Sequence, residues 1–259
     1  MTSFRKINRV LLADKIQTSV WVIAAYLAAI VLSLIPTAFN GELFSSHWSG
    51  YVMARALSWS GLALLLAFIF LTRASEKVYT TNKYRLIPVS DTKLYGANLF
   101  SSFVAFILVF LIPIIFMLLY YLFNVKTVNR IVNSSFAGLQ ANIWLFLLGI
   151  LLVGIAGLLF WWTTVSLIHL LTTAISRALP ANNQKFYKAV IYIVLIYLVV
   201  WMFGKVQNWF SQLAYLQYML GSSSIYTQPM WTALLLFVLA VVISVVNVLL
   251  MNKQVETKQ

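Results

Sequence analysis

Cysteine is absent from the 259-residue sequence, and the acidic residues number only five. The first absence excludes disulfides, thiolate metal sites and cysteine nucleophiles. The second is the more informative, because Asp14, Glu42, Glu76, Asp91 and Glu256 all fall in connections or tails between long apolar runs. A proton- or sodium-coupled carrier places a carboxylate near mid-membrane, where the ion must be bound and released, and these runs hold none. An intramembrane metalloprotease needs His and Glu side by side on membrane helices. Here His47 falls in an outer loop and His169 stands by itself near the inner end of an apolar run. A GxxxxGK(S/T) phosphate loop is also missing, so ATP is not bound by that route.

Apolar residues make up 62% of the chain and charged residues 9%, against about 25% charged in a soluble domain. The apolar residues gather into six runs long enough to cross a bilayer, Val20–Ile35, Tyr51–Leu71, Leu99–Phe123, Ile143–Leu171, Tyr187–Phe203 and Met230–Met251. The expected fold is therefore all-α, a six-span integral membrane protein with residues 1–259 forming a single transmembrane domain. No internal repeat and no low-complexity segment stands out. Span 1 is expected to stop at Pro36, and Pro113 to kink span 3.

Residues 1–17 alternate Arg5, Lys6, Arg9 and Lys15 with Phe4, Ile7, Val10 and Leu11, which predicts an amphipathic helix in the inner interface rather than a signal peptide. Trp209, Leu213, Leu216 and Leu220 recur at helical spacing before Gly221, which predicts a short outer amphipathic helix ahead of span 6. Of the 18 Lys and Arg residues, fourteen lie on one side of this layout and four on the other. That asymmetry puts both termini in the cytoplasm of a cell membrane and accounts for the net charge of +13 through topology and anionic headgroups, not nucleic acid.

Inside the spans most polar or unusual residues have plain structural readings. His169 is expected to be satisfied by a neighbouring Thr or carbonyl. Arg55 is expected to reach the outer headgroups or to pair with Glu42. Gly149, Gly154, Ala156 and Gly157 let another helix approach closely, and the Trp161–Trp162 pair fits an interface position.

The connection over residues 73–96 differs. It mixes Arg73, Lys77, Lys83, Arg85 and Lys93 with Tyr79, Tyr84, Leu86 and Ile87, and Pro88 interrupts it. A short helix with an apolar side, docked on a protein or on the bilayer surface, uses such residues. The order Glu76-Lys77, then Leu86-Ile87-Pro88-Val89-Ser90, then Lys93-Leu94-Tyr95-Gly96-Ala97, resembles the pattern after the second span in membrane subunits of type-2 ATP-binding-cassette (ABC) exporters. The resemblance extends to the interfacial N-terminal helix, the six spans, the outer helix and the basic tail.

What the resemblance implies is a permease that works as a homo- or heterodimer with a separate ABC ATPase, which itself carries the ATP and Mg. The chain then needs no cofactor and is no enzyme. Its coupling helix, between spans 2 and 3, comprises Glu76, Lys77, Val78, Tyr79, Lys83, Tyr84 and Arg85, with Pro88 as the hinge back into the membrane. Burial of Tyr79 and Tyr84 in the ATPase groove would contribute about 2 kcal/mol each. The cargo class is amphipathic or hydrophobic: a peptide antibiotic, a lipid-linked molecule or a drug, exported from a bacterial cell. The alternative is a non-transporting membrane binding or immunity protein for a membrane-active peptide.

Overall fold

A computed structural model describes residues 4–41, 43, 45–80, 89–135, 143–177, 184–219 and 228–256. Seven helices account for nearly all of them: α1 Phe4–Phe39, α2 Trp48–Thr80, α3 Asp91–Phe123, α4 Val125–Ser135, α5 Ile143–Arg177, α6 Gln184–Met219 and α7 Gln228–Glu256. All but α4 are long and apolar enough to cross a membrane. The long helices have 29 to 36 residues, or roughly 45–55 Å at 1.5 Å per residue, so they exceed the ~30 Å hydrocarbon layer and must tilt or project from it.

Three helix ends depart from the sequence reading. The N-terminal segment is not a separate interfacial helix: α1 runs unbroken from Phe4 and passes through Pro36 to Phe39. Its buried positions, Ile7, Leu11, Lys15, Ser19, Val22, Tyr26 and Ile30, recur every three or four residues. One continuous packed stripe therefore joins the amphipathic start to the span. The chain leaves α1 through Gly41, whose φ of 74° is the left-handed conformation that glycine adopts without a Cβ clash. The predicted outer helix is likewise not separate, because α6 carries on without interruption through Trp209 to Met219; Leu220 lies outside the described residues. Finally, α2 continues past the predicted end of span 2 to Thr80, so Glu76 to Tyr79 stand on the same helix as span 2.

The chain divides into two compact units, Met1–Ala137 and Gly138–Gln259. In the first, α1, α2 and α3 all pack on one another. Matching positions give the directions. Ser19 Oγ donates to the Ala105 carbonyl (2.8 Å), and Val22 packs with Val109 and Ala67. Tyr26 OH donates to the Ala56 carbonyl (2.8 Å). Thus α1 and α3 are parallel, α2 runs against both, and the α2–α3 connection returns to the end where α1 begins. Alanines at 56, 63, 67 and 105 are buried at the contacts, which lets the helices approach closely where lipid offers no hydrophobic drive for association.

In the second unit α5 and α7 form the tight pair and α6 packs more lightly on α5. Ala156 and Phe160 meet Ala233, Leu236 and Ala240. Asn247, fully buried, donates from Nδ2 to the Thr163 carbonyl at 2.9 Å. These contacts also advance together, so α5 and α7 are parallel. Of the small residues in α5, Gly149 is the one the packing demands: a Cβ there would sit 2.8 Å from Pro229 Cβ, whereas Gly154 faces open space. Gly149→Val is therefore expected to push α7 off α5 and lower stability by about 1–3 kcal/mol. Gly154→Val should do little, and the two melting curves in detergent check the contrast.

Candidate functional site

The chemistry-bearing side chains of the first unit collect at one level, near the starts of α1 and α3 and the end of α2. The centre is Lys15, only 1% exposed. Its Nζ donates to the Asn98 carbonyl (2.7 Å), to Asn98 Oδ1, to Ser101 Oγ (2.8 Å) and to Ser102 Oγ (2.7 Å). Four oxygens thus share the three N–H bonds of one ammonium. The network then reaches α2: Asn98 Nδ2 donates to the Ser75 carbonyl (3.1 Å), and the hydroxyls of Ser75 and Ser102 bond to each other. Glu76, half-buried beside this cluster, acts electrostatically on Lys15.

Local sequence explains the placement. Asn98, Ser101 and Ser102 occupy positions i, i+3 and i+4 of α3 and so form one polar patch at the start of an otherwise apolar helix. Ser75 lies one turn beyond the fully buried Leu71 on α2. Lys15 sits four residues after Leu11 and four before Ser19, on the packed stripe of α1. Its alkyl stem follows that stripe while its head meets the polar patch. A buried amine is tolerated only when its donors are met by acceptors, as they are here.

The residues assigned to coupling fall into three groups. Val78 and Tyr79 are buried, and the Tyr79 ring stacks on Tyr95 of α3 at 5.9 Å between centroids and 18° between planes. Tyr79 therefore packs α2 against α3 within this chain. Glu76 belongs to the Lys15 cluster, and Lys77 is exposed. Lys83, Tyr84, Arg85 and Pro88 lie outside the described residues. After them, Ser90 occupies the N-cap position of α3 with extended backbone (φ −69°, ψ 145°) and accepts the Leu94 N–H through its carbonyl (3.1 Å), without a side-chain cap, and Asp91 puts a carboxylate at the positive end of the helix dipole.

Sequence reasoning treated Lys15 only as one positive charge among four at the N-terminus. The signal that locates it is its register: Ile7, Leu11, Lys15, Ser19 and Val22 share one face, and only a polar partner on another helix resolves a lysine there.

Other polar residues have local partners. His169 Nδ1 pairs with Tyr192 OH at 2.7 Å, a tyrosine where a Thr or carbonyl had been expected. Arg55 is exposed, and Glu42 lies outside the described residues. Trp162 is buried while Trp161 is about half exposed beside Phe160 and Phe203. Among the described residues no group of three His, Asp or Glu side chains converges as a metal site would require. An apolar groove of about 280 Å³ runs between α1 and α2, lined by Trp21, Ala25, Ala29, Trp59, Leu62 and Leu66 among others.

Comparison with protein-family models, with curated proteins and with solved structures returned no match.

Proposed function

We propose that the chain is the membrane subunit of an ATP-driven exporter of the type-2 ABC class. It works with a second permease subunit and a separate ATPase, and moves an amphipathic or hydrophobic cargo out across the cell membrane. In this reading both termini and residues 73–96 face the cytoplasm, where the ATPase holds ATP and Mg.

The observation that carries the proposal is the Lys15 cluster at the base of that connection. Asp14 and Glu76 stand on α1 and α2 only near the end where α1 begins, and a carrier with no carboxylate farther along its helices needs a source of force outside the membrane. Force applied to residues 81–90 is useful only if the flanking helices move as one piece. Hydrogen bonds from a single buried ammonium to α3, continued from Asn98 to α2, tie all three helices together at that point. The Tyr79–Tyr95 stack adds a second tie between α2 and α3. The groove between α1 and α2 is apolar, in keeping with a hydrophobic cargo.

The division of labour predicts a separation of phenotypes. Tyr84→Ala with Arg85→Ala is expected to abolish co-purification of the ATPase while leaving the melting temperature unchanged, because these side chains serve the partner. Undiminished association in that variant would remove the docking assignment. Failure of any ATPase to co-purify with the intact chain would favour the non-transporting binder instead. Uphill transport in vesicles driven by an ion gradient alone would defeat the exporter reading entirely.

A further inference from the structure

The short helix α4 has no role in the exporter reading, yet its design is specific. It follows α3 after a single residue, Asn124, whose backbone leaves the helical region (φ −132°, ψ 34°). The corner is pinned. Asn124 Nδ2 donates to Ser49 Oγ (2.9 Å) and to the Tyr120 carbonyl (3.0 Å), and Val128 N–H donates back to the Asn124 carbonyl (3.0 Å). Beside it the Trp48 ring packs edge-on against Phe123 at 5.4 Å. Trp48 opens α2 and Phe123 closes α3, so aromatic rings mark the level at which two spanning helices leave the hydrocarbon. The first turn of α4 thus starts at headgroup depth.

The eleven residues of α4 divide cleanly. Val125, Val128 and Val132 recur at i, i+3 and i+7, with Ile131 beside them; Lys126 and Arg130 lie four apart on the other side, with Asn129 and Asn133. The helix contains no acidic residue. Its apolar face is left partly open among the described residues: Ile131 is 54% exposed, Val125 39% and Val132 38%. A helix this short, rich in β-branched residues, is marginal in water and needs a surface to support it.

We propose that α4 is an interfacial anchor. Its valine and isoleucine face is embedded in the leaflet where α3 emerges, and Lys126 and Arg130 bind the anionic headgroups of that leaflet. Continuity with the membrane exit at Phe123 brings the apolar face to lipid, and a pair of cations on a helix without acidic residues selects phosphate-bearing anionic lipid over neutral lipid.

Because the sequence has no cysteine, single-site labelling tests this on the intact chain. Ile131→Cys and Asn129→Cys, each carrying an environment-sensitive fluorophore, are reconstituted in phosphatidylcholine vesicles with and without phosphatidylglycerol. In anionic vesicles the label at 131 should be quenched by nitroxide lipids and the label at 129 by aqueous iodide. In neutral vesicles, or with Lys126→Gln and Arg130→Gln added, lipid quenching at 131 should fall roughly fivefold or more. Iodide access at 131 equal to that at 129 would overturn the anchor, as would a label at 131 shielded from both quenchers, which would mean a protein surface covers it. Lipid quenching at 131 that ignores both headgroup charge and the paired glutamines would overturn the headgroup contact.

Discussion

Replacing Lys15 with methionine is expected to lower the stability of the purified protein by about 3 kcal/mol, on the order of 5–10 °C in its melting temperature in detergent. The methionine fills much of the same volume and keeps the stem packed beside Leu11 and Ser19. What is lost is the donor. The Asn98 carbonyl and side-chain oxygen and the Ser101 and Ser102 hydroxyls lose the ammonium that all of them now share. The Asn98 carbonyl keeps the Ser101 and Ser102 hydroxyls as donors (2.9 and 3.0 Å), whereas Asn98 Oδ1 loses its ammonium, and a buried acceptor left unmet costs roughly 1–3 kcal/mol. Lys15→Arg should also fail, since a guanidinium is larger and planar and cannot take the place of a compact ammonium in a closed cage. Lys6→Met, at an exposed position of the same helix, is the control and should leave the melt unchanged. Equal melts for Lys15→Met and Lys6→Met would show that the cluster contributes nothing to holding the three helices.

Tyr79→Ala is expected to be at least as damaging, at about 3–5 kcal/mol, the range for truncating a buried aromatic residue. The ring is 3% exposed and stacked on Tyr95, so its removal leaves a cavity between α2 and α3. Tyr79→Phe keeps the stack and should retain most of the stability. The pair of variants also separates an internal from an external role. If Tyr79 were an anchor for a partner, Tyr79→Ala would weaken association and leave the melting curve of the free chain in place. Its burial predicts the reverse order of effects: the free chain melts earlier, and any loss of association follows from that.

The apolar runs made the six spans legible, because a bilayer leaves a chain little choice but helix once some twenty apolar residues follow one another. Helix ends were harder to read. Pro36 suggested a stop, yet the helix passes through it to Phe39. Polar residues after Leu71 suggested a loop, yet α2 carries Arg73 to Thr80 in helix. Composition reports where lipid ends; it does not report where neighbouring helices go on supplying a surface. The Lys15 cluster was hidden for a related reason. Lys15 is separated from its partners on α3 by more than eighty residues, and a lysine near an N-terminus has an adequate topological explanation of its own. The packing of Tyr79 was hidden similarly: an aromatic in a basic connection invites a partner protein, and only the register of α3 brings Tyr95 against its ring.

Within each unit the closely matched parallel partners, α1 with α3 and α5 with α7, are separated in sequence by an antiparallel helix. This orders biogenesis. When α5 leaves the ribosome, the segment that will cover Gly149 and bring Asn247 to donate to the Thr163 carbonyl has not been made. It must wait beside lipid or the insertion machinery until two further crossings are complete. A message truncated before residue 228 would strand that half-built bundle, and such chains should be cleared by membrane proteases far faster than the full-length product.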